Sequence, residues 1–218
     1  MLQKSVPFKS IYMKIDAVEI EKIQVPSLPV GYSYRFYQEG DQENWAKLET
    51  LVDEFATIEA ARERFESEFL PSGDRYQALA QKFSIAENIL DQRQVFIEAP
   101  NGEVVATATA WLANKFGEYQ PILHWVSVHP DYQGLQLGKS VVAKVMSLFP
   151  KYEPQKDVML HTQTWSYPAI VLYHKLGFYL CKTETLRPND NDFDNGLADV
   201  LKTVIKEPVF SKLIAEAR

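Results

Sequence analysis

The chain reads as a mixed α/β sheet protein, and three features of its sequence say so. Short runs of strand-like hydrophobic residues fill its middle, and helices with apolar residues three and four apart flank them. Its second half ends in the order strand, loop, helix, strand, helix, strand, which places at least part of the sheet in crossover connection. With 218 residues, 46% of them hydrophobic and 24% charged, the chain can bury a large core, and neither disorder nor a fibrous architecture fits. The length favours one large domain over two.

Each element has its own warrant. Ile11, Met13 and Ile15 alternate with polar neighbours as in a short strand, before a linker punctuated by Pro26 and Pro29. In residues 31–38, Tyr32, Tyr34 and Phe36 share one side of a strand that breaks at Gly40-Asp41. Trp45, Leu48, Leu51, Val52 and Phe55 then form the buried stripe of an amphipathic helix. Ile58, Ala61, Phe65 and Phe69 predict a second helix, and residues 74–90 a third. The period changes at residues 95–99 and 104–111, two strands joined through Pro100-Asn101-Gly102 in a tight hairpin. A further strand covers residues 119–128 and ends at His129-Pro130. After a loop with Gly134 and Gly138, Leu137, Val141, Val145 and Leu148 line a helix that Pro150 stops. Residues 158–164 are strand-like, 168–176 helical and 178–185 strand again; an Asn/Asp-rich loop follows Arg187 and the tail ends helical.

Charge narrows the range of functions. The chain has 29 acids against 23 bases, a formal charge of −6, so it carries no general field for a phosphate backbone and is not expected to bind nucleic acid. The balance is uneven: residues 1–114 hold 18 acids and 11 bases, net −7, and residues 115–218 hold 11 acids and 12 bases, net +1. Six acids and two arginines lie between Asp53 and Glu68, which reads either as a solvated helix face or as a cation-attracting wall. Cys181 is the only cysteine, which excludes an intramolecular disulfide and a thiolate-cluster metal site. No stretch is long and apolar enough to span a bilayer, and charges interrupt the first 15 residues where a signal peptide would need an apolar run. A soluble cytoplasmic protein without membrane attachment is the expectation.

The most informative segment runs from His124 through Trp125, Val126, Ser127, Val128, His129, Pro130, Asp131, Tyr132, Gln133, Gly134, Leu135, Gln136, Leu137 and Gly138 to Lys139. A strand that enters a glycine-bearing loop opening a helix presents unpaired backbone N–H groups at the positive end of the helix dipole, an arrangement suited to a pyrophosphate. It is neither a Walker loop nor a dinucleotide G-x-G-x-x-G fingerprint.

This segment resembles the pyrophosphate loop of the GCN5-related N-acetyltransferase (GNAT) family, Gln/Arg-x-x-Gly-x-Gly/Ala after a strand with a hydrophobic-x-Val ending. Gln133, Leu137, Gly138, Val126, Val128 and Pro130 fit that pattern. Gln136 stands where the family usually has its first motif glycine, and because a Cβ restricts positive φ, altered or weakened cofactor affinity is expected. A second resemblance, to Asn-x-x-Ala-x-x-x-Tyr-x-x-x-Gly-Phe, is carried by Ala169, Tyr173, Gly177 and Phe178, with Ser166 in place of the asparagine. Together the two motifs cover about residues 95–181 strongly, and the resemblance extends more weakly back to Tyr32.

The resemblance implies a mixed, mostly antiparallel sheet of six or seven strands flanked by helices, and direct transfer of acetyl from acetyl-CoA to a primary amine of a small molecule or peptide, without a metal. On this reading residues 1–30 are an N-terminal strand and linker, 31–187 the acetyltransferase domain, and 188–218 a C-terminal loop and helix. Backbone N–H groups of Val126, Ser127 and Val128 would hold the thioester and pantetheine. Gln133, Gly134, Leu135, Gln136, Leu137, Gly138 and Lys139 would hold the pyrophosphate, with Ser166 also at the cofactor. Tyr173 would give a proton to the departing thiolate. Strand alternation puts His124 on the face of Val126 and Val128, where it could accept the amine's proton directly or through water. Each has a plainer alternative: Tyr173 as an aromatic of an amphipathic helix, His124 as a packed or surface histidine. His129 is expected to cap the turn at Pro130 and Cys181 to be a small buried apolar residue.

The acceptor side would be built from residues 40–84, whose acids favour a cationic amine. Two other readings stay open: a non-catalytic acyl-CoA-binding or regulatory module on the same fold, supported by Gln136 and Ser166, and a cofactor-free interaction protein using Tyr32, Tyr34, Phe36 and Tyr37. Dimerisation also stays open, because the N-terminal strand can pair across subunits or extend the sheet.

Overall fold

A computed structural model describes residues 2–87 and 89–218. The strands are β1 (Ser10–Ile15), β2 (Ser33–Phe36), β3 (Gln94–Glu98), β4 (Val104–Lys115), β5 (Glu118–Val128), β6 (Val158–Gln163) and β7 (Tyr179–Leu180). The helices are α1 (Ala17–Ile20), α2 (Asp41–Leu51), α3 (Ile58–Phe69), α4 (Asp74–Phe83), α5 (Leu90–Arg93), α6 (Leu137–Met146), α7 (Phe149–Tyr152), α8 (Tyr167–Lys175), α9 (Ala198–Val204) and α10 (Val209–Ala215). The seven strands form one mixed sheet in the order β2-β3-β4-β5-β6-β1-β7. No helix among the described residues is long and apolar enough to cross a membrane.

Two compact units divide the chain. The first comprises Gln24–Leu112 and Leu123–Leu148, the second Leu2–Ile23, Ala113–Ile122 and Phe149–Arg218. In the first unit β3 pairs antiparallel with β2 and with β4, Gln94 lying opposite Thr109 and Phe96 opposite Thr107. Paired residues share a sheet face, and Trp111, two residues beyond Thr109, packs its ring on Phe69 of α3 at 4.9 Å. That face is therefore the one α3 covers. Its core is aromatic: Trp45 of α2 meets Phe65 of α3 at 5.3 Å, and Phe65 meets Phe69 at 5.0 Å. Local chemistry starts both helices. Thr57 caps α3 by accepting from the Ala60 N–H at 3.2 Å, and Gly40 enters α2 at φ +98°, a conformation that a Cβ would oppose. The Asp41 carboxylate ties α2 to β2 through the Arg35 guanidinium at 2.6 and 2.7 Å.

In the second unit β1 lies between β6 and β7 and is antiparallel to both, Met13 facing Leu160 on one side and Leu180 on the other. The N-terminal strand is thus an interior strand of the sheet. Burial follows: Ile11, Tyr12, Met13 and Ile15 are all buried, where the sequence suggested a strand with one solvated face. Tyr12 satisfies its hydroxyl by donating to Asp190 at 2.7 Å, and Lys14 pairs with Glu184 at 3.0 Å and Asp157 at 3.2 Å. β5 runs parallel to β6, with Ile122 opposite Met159. Several boundaries differ from the sequence expectation. α2 ends at Leu51, short of Phe55, and α6 ends at Met146, with Pro150 inside the short α7 instead of stopping the helix. α4 stops at Phe83 because Ser84 turns left-handed at φ +53°, β7 is two residues long, and β4 and β5 run on to a tip at Phe116-Gly117, both with positive φ.

Candidate active site

The strand and loop singled out in the sequence are continuous in the first unit, from the second half of β5 through residues 129–136 into α6. The strand is kinked. Trp125 holds φ +46°, a left-handed value that a bulky residue adopts only where its surroundings impose it. The period-two alternation expected from His124 to Val128 fails at this point. His124 Nε2 and Trp125 Nε1, on consecutive residues, both reach the Glu68 carboxylate of α3, and Ser127 Oγ donates to Glu49 Oε1 of α2 at 2.7 Å. The kink therefore turns three of four successive side chains toward the helices, instead of leaving His124 on the face of Val126 and Val128.

The two carboxyls at this kink sit in opposite protonation states. Burial works against charge on Glu68, but the His124 imidazole beside it, followed by Arg64 at 3.5 Å and the Trp125 indole, outweighs burial and holds the carboxyl down at about 2. Glu49 is fully buried; that burial, with the Glu54 carboxylate adding to it and the Ser127 hydrogen bond opposing, pushes it up to about 8. A pair of carboxyls driven apart in this way around one strand is the pattern expected where acid and base roles are divided. Neither glutamate carried a sequence motif. Glu49 lies four residues after Trp45 on the buried stripe of α2, and an acid on an apolar stripe was the available signal.

The loop after β5 is fixed at its start: His129 Nδ1 accepts from the Asp131 N–H, the expected turn cap, and Tyr132 donates to Glu103 at 2.8 Å. Gln133, Gly134, Leu135 and Gln136 are exposed, Leu137 is buried, and Lys139 is exposed. Gly134 lies at φ +83° and Gln136 at φ +60°, so Gln136 takes the left-handed backbone of the glycine it replaces. It does so with a Cβ, at a cost of about 1 kcal/mol. It is also the N-cap of α6 and makes no side-chain capping bond, which leaves the first N–H groups of the ten-residue helix to another acceptor. The loop thus fits a pyrophosphate in charge and in backbone. Gln136→Gly is expected to raise the stability of the ligand-free chain by up to about 1 kcal/mol by removing that strain, read as a higher Tm without any CoA.

Ser166 and Tyr173 belong to the second unit. Ser166 precedes α8 at its N-cap, and its hydroxyl accepts from the Gln163 amide at 3.5 Å. Tyr173 is buried on α8, its ring 5.9 Å from Phe178. Gly177 closes the helix at φ +102°, which only glycine reaches without strain. The other conspicuous side chains have structural partners: His161 pairs with Ser10 at 2.8 Å, and His174 with Glu216 at 2.8 Å. Cys181 is buried, and burial pushes its thiol up to about 12, so it is not a thiolate nucleophile. Of the acids between Asp53 and Glu68, Glu68 is paired inward. Arg62 of the same segment pairs with Glu43 at 2.8 Å, so the acidic face is partly neutralised from within.

Residues 55–178, more than half of the chain, match the sequence model of the Acetyltransferase (GNAT) family. The chain belongs to the GNAT acetyltransferase family. Solved GNAT structures share its fold. A GCN5-related N-acetyltransferase from Sphaerobacter thermophilus is 15% identical with a TM-score of 0.52, over 80% of this chain and 49% of that one. A tandem GNAT protein from the clavulanic acid biosynthesis pathway is 16% identical with a TM-score of 0.52, over 81% and 51%. A GNAT acetyltransferase from Colwellia psychrerythraea is 10% identical with a TM-score of 0.52, over 80% and 54%. The chain therefore spans about half the length of these GNAT structures. No curated protein matches its sequence.

Proposed function

We propose that this GNAT protein is an acetyl-CoA-dependent N-acetyltransferase acting on a primary amine of a small molecule or peptide. The observation that carries the reading is the kinked β5 leading into a loop with two left-handed residues and an uncapped helix N-terminus. Acetyl-CoA supplies the activated acetyl thioester. The chain's own groups supply the rest. Backbone N–H groups of Val126, Ser127 and Val128 hold the donor carbonyl, and residues 133–139 hold the pyrophosphate. A protonated amine has no lone pair, so a base must take its proton. His124 is proposed for this task, with Glu68 fixing the imidazole through Nε2 and leaving Nδ1 to accept. Tyr173 is proposed to give its hydroxyl proton to the sulfur as the CoA thiolate departs.

The acid-rich segment before β3 favours a cationic acceptor. Free thiol released from acetyl-CoA over a panel of amines tests the function, and binding without turnover on any amine would select a non-catalytic CoA-binding module instead. Tyr173→Phe is expected to lower kcat by about 10²-fold with little change in CoA affinity, measured by the same thiol assay and by calorimetry.

A further inference from the structure

We propose that Glu49, acting through the Ser127 hydroxyl, is the positioning residue for the kink of β5, and so for the strand assigned above to the acetyl thioester, an inference that rests on that assignment. Trp45 and Glu49 lie one turn apart on α2 and reach the kink together. The Trp45 ring packs against Trp125 at 5.3 Å, edge to face, while Glu49 Oε1 accepts from Ser127 at 2.7 Å. From α3, Glu68 takes the His124 and Trp125 ring nitrogens. A tryptophan at φ +46° is thus held from both sides, and Glu49 is the polar contact that fixes Ser127, two residues after it.

What sets Glu49 apart from an ordinary anchor is its second oxygen. Oε2 is buried without a hydrogen-bond partner among the described residues, and the residue is 0% exposed. The groups acting on the carboxyl are the Ser127 hydroxyl of β5 and, past the end of α2, the Glu54 carboxylate, a like charge. The charged neighbours on α3 and β5, Glu68 and His124, are committed to each other. A proton on Glu49 therefore keeps the anchor neutral near pH 7, and its loss leaves a buried charge without a counterion. The relief available is for α2 to draw back from the kink and admit water to the unpartnered Oε2. The donor strand then loses its fixed shape as pH rises.

Two titrations of the full chain between about pH 6.5 and 9.5 test this: intrinsic tryptophan fluorescence without any cofactor, and CoA binding by calorimetry. In the wild type the fluorescence should change with a midpoint near 8 and CoA affinity should fall about tenfold across it. Glu49→Gln, which can still accept from Ser127 but cannot ionise, should show neither transition. Glu49→Leu, which fills the site without the hydrogen bond, should bind CoA more weakly at every pH. Flat wild-type titrations, or the same transitions in Glu49→Gln, would overturn the proposal. A Glu49-dependent fluorescence transition with no CoA binding at any pH would support the positioning role and overturn the assignment of the strand to the donor.

Discussion

His124→Ala should lose turnover and acid-side stability together, because one imidazole is both the proposed base and the partner of a half-buried carboxylate. On the chemistry, removing a general base costs about 10²- to 10⁴-fold in kcat, and the acid limb of the pH–rate profile should change. On the fold, Glu68 is left with Arg64 and the Trp125 indole, and loses the largest of the interactions that hold its carboxyl ionised. The sign with pH follows from the depressed carboxyl. Glu68 binds its proton at about 2 in the folded chain against an ordinary 4.5, so its contribution is fully present above 4.5 and is lost as pH falls toward 2. At about 1.4 kcal/mol per tenfold difference in proton binding, that is roughly 3 kcal/mol. Urea unfolding of the wild type should therefore weaken by this amount between about pH 5 and 2, and His124→Ala should show a much flatter acid profile. Glu68→Gln separates the two effects: it keeps the imidazole and should retain most of the turnover if His124 acts alone, or lose it if the imidazole needs the carboxylate to fix its tautomer. Full turnover in His124→Ala would remove His124 from the mechanism.

How far this site was legible in the sequence depended on whether a residue's role is local. Gly134, Leu137, Gly138, Ala169, Tyr173, Gly177 and Phe178 are tied to a turn or a helix end, so their spacing survives as a motif, and the order of strands and helices around them was readable for the same reason. The kink at Trp125 has no such signature. A tryptophan at positive φ is imposed by Trp45, Glu49 and Glu68, which lie 57 to 80 positions earlier in the chain, and strand alternation assumed on either side of it misplaced His124. The place of the N-terminal strand is another long-range fact. Ile11, Met13 and Ile15 mark a strand, but only pairing with residues 158–163 and 179–180 puts Tyr12 in the interior. Gln136 shows the converse. The local rule correctly flags a residue that opposes its backbone, and the chain adopts that backbone regardless.

Stability should fall, not rise, as pH is raised from about 5 to about 8, and a single substitution at Glu49 should abolish the fall. The folded chain binds the Glu49 proton at about 8 and the unfolded chain at an ordinary 4.5, so the folded state holds more protons throughout that interval. Stability then decreases with pH from 4.5 up to about 8 and is level beyond, and the accumulated loss is roughly 4–5 kcal/mol for a carboxyl that is fully buried. Opposing changes at surface groups are small by comparison. Glu49→Gln has the same shape and no proton to lose. It should match the wild type near pH 5, where both side chains are neutral, and exceed it by several kcal/mol at pH 8, on the order of 10 °C in Tm for a chain of this length. Guanidinium unfolding at the two pH values measures the difference directly, and the signature is the pH dependence of the gap between the two proteins, which any packing effect of the amide would leave constant. Equal gaps at pH 5 and 8 would mean that Glu49 already loses its proton at the ordinary carboxylate value, and that the contact between α2 and the kinked strand carries a charge. A gap that opens with pH would show a kinked strand braced by an acid kept neutral only by its burial, at the expense of stability between about pH 5 and 8.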